Sequence, residues 1–231
     1  MSGNVIAESI PKLLDGAALT VELVAIALAI GIVLAVPLAL ARVSGRLWLN
    51  GPVYGYVFFF RGTPLLVQIF LIYYGLSQFE TVREGPLWPI LREPYWCAII
   101  AFTLNTAAYT AEIIRGGIQG VPHGEIEAAR ALGMSRLLVL RRIILPRAFR
   151  LALPAYGNEI IILLKASALA STITLLDLTG VARTIIARTY MPIELFAMAG
   201  AIYLVITFMI TRAIKALEHR LSPHTRPPRP A

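Results

Sequence analysis

The chain has 231 residues, of which 58% are hydrophobic and 15% charged, and it carries a net charge of +8. Ordinary soluble domains are about 45–50% apolar and about 25% charged, so the composition excludes a soluble enzyme or binding module. Nor does the basic excess read as a nucleic-acid footprint, because it is confined to alternate connections between apolar blocks.

Residues 23–41, 62–79, 94–111 and 195–211 are free of charge, and a fifth apolar block, 151–171, is interrupted by Glu159 and Lys165. Each approaches the roughly 20 residues needed to cross a hydrocarbon core of about 30 Å. The expectation is an all-α membrane protein with five transmembrane helices, one membrane domain over 1–221 and a disordered basic, Pro-rich tail over 222–231. Segments 1–15 and 79–93 are each net −1 and 172–194 is neutral, whereas 42–51 is +2, 115–150 is +5 and 212–231 is +4. Positive charge stays on the cytoplasmic side. The N-terminus is therefore expected outside, in the periplasm, and the C-terminus in the cytoplasm.

In the first span, Gly31 and Pro37 read as packing and a mild kink that neighbouring helices cover. The second span opens on Arg61-Gly62-Thr63-Pro64. Thr63 followed by Pro64 has the form of a helix cap with Pro at the first helical position. Arg61 is placed to snorkel to the cytoplasmic interface. The four residues are a candidate hinge, set against the plainer reading of a packing kink.

In the third span Asn105, Tyr109 and Glu112 stand at i, i+4 and i+7, on one helix face. Polar groups at membrane depth are costly and turn to a bundle interior or a water-filled path. They are candidates for a substrate path. The structural alternative gives Asn105 an interhelical hydrogen bond and pairs Glu112 with Arg115 one turn later. The single Cys97 reads as a small buried side chain.

Between the third and fourth spans, residues 124–134 (GEIEAARALGM) form a short water-facing helix of strong helix formers. Glu125 and Glu127 lie in its first turns, where the helix dipole favours them, and Gly133 suits its C-terminal turn. Ser135 is placed to cap the segment after it. Ala128, Ala129 and Leu132 make a small apolar patch that the helix cannot bury alone. A partner protein suits so small a face better than lipid does.

In the fourth span, Asn158 and Glu159 are further path candidates, and Glu159 is the best candidate for an intramembrane charge. It needs a cation: Lys165, an arginine elsewhere, or a cationic substrate. Glu159 and Lys165 are six residues apart and do not share a helix face.

The chain holds no engine. No lysine follows a glycine, so there is no Walker A loop, and no histidine pair has metal-ligand spacing. No serine sits in a nucleophile elbow. Catalysis, resident metals and cofactors are not expected in it.

Glu127-Ala128-Ala129, three residues, Gly133, nine residues, Ile143, one residue, Leu145-Pro146 matches the EAA-x3-G-x9-I-x-LP signature in full. The chain therefore resembles the permease subunits of bacterial ATP-binding-cassette importers. FRGTPLLVQIFLIYYGL (60–76) and AYTAEIIRGGIQGVPHGEIEAARALGMS (108–135) look like the polar amino-acid branch. NEIIILLKASALASTITLLDLTGVARTI (158–185) is similar to the M-type permeases for histidine, other basic amino acids and opines. The resemblance covers nearly the whole chain.

It implies the transmembrane domain of a type I importer in the bacterial inner membrane. It also implies that Glu125, Glu127, Ala128, Ala129, Leu132 and Gly133 lie on a coupling helix. That helix docks on a separate P-loop ATPase, which carries ATP and Mg. A periplasmic solute-binding protein delivers substrate, lipid surrounds the chain, and nucleic acid is no partner. Relatives carry Asp where this chain has Ala166, next to Ser167, itself counted with the path. The absent Asp favours a heterodimer with a second, Q-type permease and leaves a homodimer open. A stand-alone secondary transporter or channel is the competing reading, and it would need no docking helix.

Overall fold

The structure, a computed structural model, describes residues 2–221, all-helical with no strand among them. The expected disordered tail, 222–231, lies outside the described residues. The first helix, α1 (Ser2–Val43), has 42 residues. At 1.5 Å per residue it is roughly 63 Å long, about twice a hydrocarbon core. By charge, 1–15 reads as a connection, yet the helix continues through it. Leu13 and Ala17 have something to bury against: Leu178 and Ala182 of α10 (Leu178–Thr189) and Ala199 of α11 (Pro192–Leu221). The Thr20 hydroxyl accepts the Leu178 backbone N–H at 3.1 Å and fixes this contact. Asp177 caps α10 by accepting the N–H groups of Thr179 and Gly180.

After α1 the chain turns into α2 (Leu47–Gly62), breaks, and resumes as α3 (Leu65–Phe70), which runs on through a π turn (Leu71–Gly75) and a 3-10 turn (Leu76–Gln78). The two arms meet at 106°. Here the expected cap geometry is corrected. Thr63 is extended, and its backbone N–H closes α2 on the Phe59 carbonyl. Pro64, also extended, stands just before α3 rather than in its first turn. A proline ring disfavours helical backbone in the residue before it, so Thr63 ends one helix instead of starting the next.

Two short helices, α4 (Glu80–Arg83) and α5 (Trp88–Leu91), lead to the central helix, α6 (Pro94–Gln119). The core is built on α6: Cys97, Ala98 and Phe102 pack with Leu23, Val24 and Ala27 of α1, with Ile69 of α3, and with Leu163 and Leu164 of α9 (Leu145–Ala166). Small residues let membrane helices approach closely. At Gly117, an added Cβ would lie 2.6 Å from the Ala148 carbonyl oxygen of α9.

Between α6 and α9 lie α7 (His123–Ala131) and α8 (Arg136–Val139), the latter joined to α9 by a π turn (Leu140–Ile144). Among the described residues, three helical stretches are apolar and long enough to cross a membrane alone: Val5–Val43, Pro94–Gln119 and Pro192–Leu221. Two bent pairs raise the number of candidate spans to as many as five.

Candidate functional site

The α2–α3 break is held open by side chains from two directions. Gln68, 2% exposed, donates its amide to the Phe60 carbonyl (2.9 Å), the Thr63 carbonyl (3.1 Å) and the Thr63 hydroxyl (2.8 Å). Asn105 of α6 donates to the Gln68 side-chain oxygen (2.9 Å) and to the Phe60 carbonyl (3.2 Å). A helix end leaves carbonyls without intrahelical partners, and these two amides supply them. Gln68 is not visible as a site residue in the sequence, because an amide in an apolar run carries no periodic signal. Asn105 thus spends its donors on the bend, as its structural alternative anticipated.

A cavity of 380 Å³ opens beside this bend, lined by all four residues Arg61, Gly62, Thr63 and Pro64, by Asn105 and Tyr109 of α6, and by Glu159 of α9. Glu159 is 4% exposed and accepts the Thr106 hydroxyl at 3.1 Å. Lys165 is exposed and forms no ion pair among the described residues, so it is not the cation that Glu159 faces. The cavity's cation is Arg61, whose guanidinium lies over the Tyr109 ring at 5.1 Å.

Glu112 lies behind the cavity rather than in it. Arg42 of α1 donates from Nε at 3.0 Å, and Arg115 donates from Nε at 2.8 Å and Nη2 at 2.7 Å. The expected Glu112–Arg115 pair is present. The second partner, 70 residues away in sequence, could not be read from helix spacing. Arg42 also donates to Asn50, so one cluster ties together α1, α2 and α6. Two expected path residues are placed elsewhere. Asn158 is exposed and does not line the cavity. Ser167 is fully buried and donates to the Leu164 carbonyl at 2.7 Å.

The second feature is the arm. Helix α7 ends in a double backbone closure: Gly133 N–H to the Arg130 carbonyl at 2.9 Å and Met134 N–H to the Ala129 carbonyl at 3.1 Å. Gly133 has φ +77°, the left-handed conformation that such a C-terminal turn requires. Ser135 caps α8 by accepting the Leu138 N–H. The apolar patch is divided: Ala129 is 4% exposed and turned into the chain, while Ala128, Leu132 and Glu127 face outward. Glu125 pairs with Arg147 of α9 through both carboxylate oxygens. That hydrogen bond holds the Glu125 carboxyl below its ordinary range. The arm is therefore pinned to α9 on one side and free on the other.

The family described as "binding-protein-dependent transport system inner membrane component" matches residues 27–223. The chain is similar to a nopaline transport permease of Agrobacterium fabrum, 55% identical over 98% of this chain and 94% of that one. It is 55% identical to an octopine transport permease of Rhizobium meliloti, over 95% and 89%. It is 44% identical to a histidine/lysine/arginine/ornithine transport permease of Escherichia coli, over 92% and 90%. A solved amino acid ABC transporter with histidines superposes with a TM-score of 0.84 at 36% identity, over 93% of this chain and 96% of that one. The match runs from within α1 through α11, bend, cavity and arm included, and the chain belongs to that family: an inner-membrane permease subunit of a binding-protein-dependent ABC importer.

Proposed function

We propose that the cavity at the α2–α3 bend is part of the path for a basic amino acid or opine, and that α7 is the arm through which a separate ATPase drives it. One observation carries the reading. A buried carboxylate, Glu159, lines a cavity of 380 Å³ between helices of a membrane domain. A carboxylate there is costly unless a cation meets it; among the described residues Arg61 shares the cavity but forms its ion pair with Glu112, not with Glu159, and the relatives are named for cationic amino acids or opines. The volume lies in the roughly 300–1,000 Å³ range of small-molecule sites.

The arm reaches the path through α9. Glu125 grips Arg147 in the first turn of α9, and Glu159 follows twelve residues on, roughly 18 Å at 1.5 Å per residue. A push on the free face of α7, through Glu127, Ala128 and Leu132, is delivered to the helix that carries Glu159. The bend at Gly62-Thr63-Pro64 is the complementary hinge. In this reading five spans place the N-terminus outside and the C-terminus inside, a binding protein delivers solute, and the chain catalyses nothing. ATP and Mg reside on the ATPase, and a second permease completes the pathway, a heterodimer being favoured by Ala166.

The test is Glu159→Gln in the intact importer. Uptake of radiolabelled arginine should fall at least about ten-fold, the scale of one charge-assisted contact. Recovery of ATPase and partner permease with the chain should be unchanged. Uptake at the parental rate would reject the role of Glu159.

A further inference from the structure

We propose that Arg61 is the carboxylate receptor of the cavity: its guanidinium takes the α-carboxylate of the transported molecule while Glu159 faces the cationic end. The proposal rests on the reading of this cavity as the substrate path and adds the group that fixes the orientation of the ligand.

The two oxygens of Glu112 accept from Arg42 and Arg115 at 2.7–3.0 Å. Arg61 is the third guanidinium: Nη1 lies 3.9 Å from Glu112 Oε2, a long ion pair that is beyond hydrogen-bond range. Arg42 is further tied to Asn50, and Arg115 to Gln119 at 2.7 Å. Among the described residues the Arg61 guanidinium donates no hydrogen bond, and its side chain is 44% exposed. A guanidinium offers five donors in a planar fork that matches a carboxylate with two parallel bonds. Here the fork makes one long ion pair and no hydrogen bond among the described residues.

The Arg61 guanidinium carbon lies over the Tyr109 ring, 5.1 Å from its centroid, and both residues line the cavity. In this conformation the bend that carries Arg61 is braced by Gln68 and Asn105, which sets the guanidinium at the cavity. Among the described residues, Arg61 and Glu159 are the only charged ones lining the cavity. One cation and one anion in one cavity are complementary to a molecule with both charges. The carboxylate is the feature that amino acids and opines share, so Arg61 sets the class while Glu159 selects for a cationic partner.

The experiment measures equilibrium binding of L-arginine and L-argininamide to the intact importer in lipid nanodiscs, without the binding protein. Both probes are cationic and of one size, and only the first has a carboxylate. The parent should bind arginine about ten-fold or more tightly than the amide. Arg61→Gln should weaken arginine to the level of the amide and leave the amide unchanged. Arg61→Lys keeps the charge without the fork and should restore part of the discrimination. Melting curves of each variant report whether the fold is kept.

If Arg61→Gln retains the parental preference, or weakens both probes equally, Arg61 is not the receptor. If Glu159→Gln leaves both affinities unchanged, or the parent binds neither probe, the reading of the cavity as the path falls first.

Discussion

Asn105, Tyr109 and Glu112 share a face of α6, as their spacing requires, yet each has a different task. Asn105 holds the bend, Tyr109 supports Arg61, and Glu112 gathers arginines from α1 and α6. The face was legible because helical periodicity is local. The tasks were not, since the partners Phe60, Gln68, Arg61 and Arg42 lie 37 to 70 residues away. Glu159 was legible by its cost in lipid, but its partner Thr106, 53 residues away, was not. At this scale Glu112→Ala has a defined outcome. It leaves Arg42 and Arg115 without their carboxylate, and removing the acceptor of such a part-buried cluster costs about 1–3 kcal/mol. Purified variant should melt at lower temperature than the parent, and an unchanged melting curve would mean the cluster holds nothing together.

Helices themselves were easier to read than their ends. The run at 23–41 marked a span but hid a helix of 42 residues, because the partner of its N-terminal half is α10. The segment 62–79 was read as one span, but the Thr63-Pro64 step makes it the second arm of a 106° bend. In α7 the Gly133 stop was legible, whereas the inward turn of Ala129 depended on packing. The contact of Gly117 with Ala148 fixes how closely α6 and α9 approach. Gly117→Val should force them apart at a cost of about 1–3 kcal/mol, visible as lower yield of folded complex on size-exclusion chromatography. The pin between α7 and α9 has a pH signature. Arg147 lowers the folded pKa of Glu125, so the pin contributes fully above the unfolded value of about 4.3. It is lost as pH falls through the lower folded value. Amide exchange in α7 should be insensitive to pinning between pH 5 and 8 once corrected for intrinsic rates, and should accelerate in acid below about pH 4. Glu125→Gln should show the faster exchange already at pH 7.

At the scale of the whole molecule, the alternation of net charge between connecting segments predicts which ends face which side of the membrane. Single cysteines at exposed Ser44 and Leu132, in a chain with Cys97→Ala, should react with a membrane-impermeant thiol reagent only after the membrane is opened. A cysteine at exposed Tyr190 should react in intact spheroplasts. Charge balance and apolar blocks carried the fold class, and the EAA signature carried the family. The cavity was not legible as a volume, since α2, α3, α6 and α9 contribute to it from four stretches of sequence.

In the proposed mechanism this chain transports only when a separate ATPase grips the free face of α7. A mild-detergent pull-down of the tagged chain from its own host, parent beside Glu127→Lys, with mass spectrometry of the recovered proteins, tests this. The parent should bring a P-loop ATPase and a second permease, and the variant should keep the permease and lose the ATPase. An ATPase recovered equally with both chains, or with neither after cross-linking, would contradict the role given to the arm.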